Sequence, residues 1–192
     1  MVINIIRHGR TLANEKKLYC GETDLPLSEN GIAALLELKH QGIYPTGVDM
    51  FFTSGLTRTN ETLNLLYGSV HSEAIPELAE FRFGDFEMKS YEELKHQTDY
   101  QAWITDEAGH ISCPGGDNKI QFAQRVLDGF NLLKKKSQNA DGVLLVCHGG
   151  VIVTIMEHLF PGDRNFYEWQ PEPGRGYSLW YKTDEVYQYK AI

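Results

Sequence analysis

With 192 residues, 42% of them hydrophobic and 23% charged, the chain has the apolar material for one core and lies near the upper end for a single compact domain. A formal net charge of −8 excludes a basic face for nucleic acid, so any attraction for an anion has to be local. No apolar stretch reaches bilayer length, and Cys20, Cys113 and Cys147 are odd in number and widely separated, which speaks against a membrane span, a disulfide framework or a zinc site and for a reducing compartment, the cytoplasm.

Taken in chain order, Val2 to Ile6 is a short β-branched run that reads as a buried strand ending at Arg7-His8-Gly9. His8 then stands at the carboxyl edge of a strand, where open α/β sheets bind ligands. Thr11 and Asn14 follow, of types that shape turns. Ser28 is placed to cap a helix through Ile32, Leu35, Leu36 and Leu38 that Gly42 ends. A second strand is expected over Val48 to Thr53, and after Ser54-Gly55 a helix from Thr57 to Tyr67 with Arg58 near its amino end. A short strand near Ile75 should lead to Glu80, and Ser90-x-x-Glu93 reads as a capping box. The next helix, about Asp117 to Lys136, shows Phe122, Val126, Phe130 and Leu133 on one stripe.

Val143 to Val146 repeats the opening design, an apolar strand followed by His148-Gly149-Gly150. A helix through Ile152, Ile155 and Leu159 should stop at Pro161-Gly162, and the tail from Gly176 to Tyr189 alternates enough for two edge strands around Thr183-Asp184. Three strand ends would thus bring two imidazoles and two guanidiniums together. A phosphate monoester is largely dianionic near neutral pH and matches the planar donors of arginine, so Arg7 and Arg58 are expected as phosphate clamps, with N–H groups from Gly149 beside them.

The ordered blocks Arg7-His8-Gly9-x-Thr11-x-x-Asn14, Gly21 with Asp24-x-Pro26-Leu27-Ser28-x-x-Gly31, Ser54 to Arg58, Leu78-x-Glu80-x-x-x-Gly84 and His148-Gly149 resemble the histidine phosphatase superfamily, in its phosphoglycerate mutase-like branch. The resemblance spans nearly the whole chain. It implies an α/β three-layer sandwich, a mostly parallel central sheet flanked by helices, in one domain over 1–192 with a small helical cap at about 80–116. It also implies that His8 attacks phosphorus and becomes a phosphohistidine, that His148 holds the transferring group, and that Glu80 is the acid, with Asp85 and Glu87 as rivals. Phe81, Phe83 and Phe86 would desolvate the Glu80 carboxyl and favour its protonated form. Thr11, Asn14, Cys20 and Gly21 match positions lining the phosphate pocket of relatives.

The activity so implied is a metal-independent phosphatase for a small phosphorylated metabolite, with no cofactor, nucleic-acid partner or membrane partner. A homodimer is compatible with the sequence. The alternative is phosphoryl transfer of the cofactor-dependent phosphoglycerate mutase type, and a third reading is a binding module without turnover. Arg10, Met88 and Asp117-Asn118 depart from common family choices and bear on substrate fit. Pocket walls are expected from Tyr91, Tyr100, Trp103 and Trp169.

Overall fold

The computed structural model describes residues 1–183 and 185–192. Among these, one sheet is formed by β1 (Val2–Arg7), β2 (Met50–Thr53), β3 (Ser72–Ala74), β4 (Gly142–Cys147), β5 (Gly176–Lys182) and β6 (Glu185–Ala191), in the order β3-β2-β4-β1-β5-β6. Strands β3, β2, β4 and β1 are parallel, β5 is antiparallel to β1, and β6 is antiparallel to β5. The helices are α1 (Leu12–Glu15), α2 (Glu29–His40), α3 (Thr57–Tyr67), α4 (Tyr91–Leu94), α5 (Thr98–Thr105), α6 (Lys119–Lys136), α7 (Gly149–Leu159) and α8 (Phe166–Trp169).

The apolar runs of β1 and β4, interrupted in β1 only by Asn4, which donates to the carbonyl of Val143, follow from burial of both sheet faces. Side chains alternate along a strand, so β1 sends Ile3 and Ile5 to one core and Ile6 to another, and β4 divides Val143, Leu145 and Cys147 from Leu144 and Val146 in the same way. The first core is closed by Phe122, Val126, Phe130 and Leu133 of α6 and by Val151, Ile152 and Ile155 of α7. On the other face Leu63 of α3 covers the sheet, and Leu66 joins α3 to Leu35 of α2. The sheet therefore lies between two helical layers, the sandwich that the family resemblance implied.

Several limits differ from expectation. β2 begins at Met50 rather than Val48, because the Asp49 carboxylate turns to accept the N–H groups of Asp141 and Gly142 at the start of β4. Helix α6 begins at Lys119: Asn118 caps it by accepting the N–H of Gln121, which leaves Asp117 outside to pair with Arg82 and Arg125. Of the two tail strands only β6 is an edge, since β5 hydrogen-bonds to β1 and β6 on its two sides. Asp184, named in that expectation, lies outside the described residues. Tyr100, Trp103 and Trp169 are core residues packed among Phe81, Phe86 and the α7 side chains, not pocket walls, whereas Tyr91 is exposed. No helix among the described residues is long and apolar enough to cross a membrane.

Candidate active site

Because β1 and β4 are neighbours in parallel register, Arg7 opposite Cys147, the residues that follow them leave the sheet side by side. The N–H of His8 donates to the carbonyl of Cys147 at 2.9 Å, and the rings of His8 and His148 meet edge-on with centroids 5.1 Å apart. His8 is 5% exposed and His148 0%. The His8 Nδ1 lies 2.7 Å from the carbonyl oxygen of Gly9. A carbonyl only accepts, so Nδ1 carries the proton and Nε2 the lone pair. Burial, reinforced by Arg58 and then Arg7, holds His8 well below its ordinary value of 6.5 and keeps the ring neutral. Burial does the same to His148, followed by the charges of His8, Arg58 and Arg7. The Nε2 of His148 is 2.8 Å from the Ser54 hydroxyl, and its buried Nδ1 has no partner among the described residues.

Arg7 ends β1 and donates through one terminal nitrogen to the carbonyl of Pro171 at 2.8 Å, while its Nε is buried without a partner among the described residues. Burial lowers its pKa, opposed by Glu80 and Glu172, and a guanidinium stays charged through such a change. Arg58 sits in the first turn of α3 and is 1% exposed. It donates to the carbonyls of Gly21 at 2.6 Å and Thr23 at 2.9 Å. Only glycine fits position 21, since a Cβ there would lie 1.7 Å from the carbonyl oxygen of Phe81.

The Glu80 carboxylate accepts the N–H of Phe81 and, at 3.0 Å, the N–H of Gly150 in the first turn of α7. Its chain segment is braced by Arg125, which donates to the carbonyls of Glu77, Ala79 and Glu80. Phe81, Phe83 and Phe86 turn their rings to one another's neighbours and to Trp103, so aromatic packing builds the core under the segment. Of the rivals, Glu87 is committed to the backbone of residues 21, 22 and 83.

Thr11 and Asn14 form the capping box of the single-turn helix α1, the turn-shaping use of such residues. Cys20 is half-buried, donates weakly to the carbonyl of Thr23, and has its thiol pKa raised by burial. Gly149 opens α7 where a Cβ would come within 3.3 Å of the Arg7 guanidinium. The structure thus brings His8, His148, Arg7, Arg58, Glu80 and Gly149 together, makes Ser54, which opens one of the ordered blocks, the partner of His148, and adds Gln170 and Pro171, which no motif in the sequence singled out.

The geometry agrees with comparisons to known proteins. Over 159 residues the chain is 32% identical to the adenosylcobalamin/alpha-ribazole phosphatase of Escherichia coli K12, covering 81% of this chain and 77% of the relative. It is 28% identical to the 2,3-bisphosphoglycerate-dependent phosphoglycerate mutase of Bradyrhizobium diazoefficiens, covering 82% and 81%. Among solved structures, the alpha-ribazole phosphatase of Shigella flexneri superposes with a TM-score of 0.84 at 27% identity, covering 97% of this chain and 93% of that one. The profile of the histidine phosphatase superfamily (branch 1) matches residues 3–183, and the chain belongs to that family.

Proposed function

We propose that the chain hydrolyses a small phosphate monoester through a phosphohistidine on His8. The observation that carries this reading is a neutral, buried imidazole with its lone pair on Nε2, set beside two buried nitrogens, Arg7 Nε and His148 Nδ1, that have no partner among the described residues. Buried polar atoms are ordinarily paired, and a phosphoryl group supplies the acceptors both lack. In the first step the His8 Nε2 lone pair forms a bond to phosphorus, the phosphorus–oxygen ester bond breaks, and Glu80 gives the leaving oxygen a proton. In the second, Glu80 takes a proton from water as that water's oxygen attacks phosphorus, which releases inorganic phosphate and restores the lone pair. Arg7, Arg58 and His148 stabilise charge spread over the equatorial oxygens. In this reading the Ser54 hydroxyl donates to Nε2 of His148 and the ring turns a protonated Nδ1 to the phosphoryl group.

The relatives named as alpha-ribazole phosphatases support a nucleoside-type phosphate, such as alpha-ribazole phosphate, as the substrate class. The test is phosphate release from a panel of monoesters including alpha-ribazole phosphate, with chelator present and His8→Ala beside the parent. Parent activity should survive chelation, rapid quench should trap label on His8, and the variant should lose at least about a thousandfold. The relatives named as mutases keep the second reading in the experiment. Sustained isomerisation of 3-phosphoglycerate that needs 2,3-bisphosphoglycerate and releases no phosphate would overturn the hydrolase.

A further inference from the structure

The carboxylate of Glu87 collects an unusual set of donors from the loop that faces Arg58. One oxygen accepts the N–H groups of Gly21 at 2.9 Å, Glu22 at 3.1 Å and Phe83 at 3.2 Å, and the other accepts the Thr23 hydroxyl at 2.7 Å. The carbonyls of the same loop, those of Gly21 and Thr23, are the acceptors for the two terminal nitrogens of Arg58. Residues 21 to 23 are thus fixed by an anion through their donors and hold a cation through their acceptors. Beyond them, Asp24 accepts the N–H and hydroxyl of Thr57, the residue before Arg58, both at 2.8 Å. Glu87 is itself held in place: Met88 after it adopts φ 58°, in the left-handed region, donates its N–H to the carbonyl of Tyr19 at 2.7 Å, and the N–H of Tyr19 donates to Lys89 at 2.9 Å.

We propose that Glu87 is a positioning residue for Arg58, fixing the loop carbonyls that aim the guanidinium at the phosphoryl group; this rests on the phosphatase reading above. The physical reason is preorganisation. A donor that already points at the developing charge loses nothing to reorientation in the transition state, and an arginine anchored only to backbone oxygens is as fixed as the loop carrying them. A carboxylate receiving several N–H and O–H bonds is a strong anchor, because charge-assisted hydrogen bonds are about twice as strong as neutral ones.

A double-mutant cycle separates this from a role in folding alone. Glu87→Ala should lower kcat by about 10- to 100-fold, with a smaller change in KM and a cooperative thermal transition retained. In an Arg58→Ala background the same change should cost less than about threefold, because the group through which Glu87 acts is already gone. Should Glu87→Ala fail to fold, Glu87→Gln, which keeps one acceptor oxygen, takes its place in the cycle. Equal losses in both backgrounds, parent-like kcat in the single variant, or loss of folding in both variants overturns the proposal. A parent that releases phosphate while the cycle is additive rejects Glu87 alone; a parent that neither turns over nor binds inorganic phosphate by calorimetry rejects the phosphate site and Glu87 with it.

Discussion

At the scale of single residues, the orientation of His148 depends on a hydroxyl 94 positions away. Ser54→Ala removes the partner of a fully buried ring nitrogen, which costs about 1–3 kcal/mol and frees the ring to turn. The variant should lose about tenfold in kcat along with that stability, read by steady-state kinetics and urea denaturation; an unchanged kcat would show that the hydroxyl does not orient the ring. Arg58→Lys tests a different property of the site. A lysine keeps the charge but not the planar fork that bonds two carbonyls at once, so kcat should fall about a hundredfold in the same assay, and retention of more than a third of parent activity would contradict the geometric role. His8 and His148 were legible in the sequence because an apolar run that stops at histidine marks a strand end. Ser54 as the partner of His148, and Glu87 as the anchor of Gly21, were not, because those pairs form only when β2 and the residue-87 segment meet chain that is remote in sequence.

At the scale of elements, the start of α6 joins a helix cap to an ionic network. Asn118 takes over the cap, while Asp117, 2% exposed, accepts from the side chains of Arg82 and Arg125 and from the N–H of Arg82. Those hydrogen bonds hold the Asp117 carboxyl below its usual range against the opposing pull of burial. Through Arg125 the same carboxylate steadies the carbonyls of Glu77, Ala79 and Glu80. Asp117→Ala should therefore cost about 2 kcal/mol, below the 3–5 kcal/mol of a fully buried pair because Arg82 keeps access to water. Urea denaturation measures it, and a loss under about 0.5 kcal/mol would mean that the network contributes little. The expected limits of α3 hold to the residue, and the apolar stripe placed α6 within two, since such a stripe is a local signal. It misjudged Asp117, whose ionic partners lie outside the helix, and took β5 for an edge, since alternation in Gly176 to Lys182 is the same whether one or both sides of a strand are paired.

At the scale of the whole molecule, the parallel pairing of β1 with β4 sets two histidines into the interior, and that placement has a consequence for stability. The mostly parallel sheet was implied by the family resemblance, whereas the strand order depends on crossovers that local pattern does not encode. In the unfolded chain each histidine titrates near 6.5, while in the fold burial and the arginines hold both rings well below that value. Stability rises with pH wherever the unfolded state binds more protons, so the contribution of these neutral rings is complete above about pH 6.5 and is lost as the pH falls beneath it. Each ring should contribute a slope of up to about 1.4 kcal/mol per pH unit in that window. Urea denaturation of the parent and of His8→Ala at pH 7, 6 and 5 reads the contribution of His8 together with its influence on the neighbouring His148 ring. The variant's stability should fall less steeply between pH 6 and 5, by up to about 1.4 kcal/mol per unit. Identical slopes would mean that the His8 ring takes up its proton as readily inside the fold as outside it, and a ring that does so would not present the neutral Nε2 on which attack at phosphorus depends.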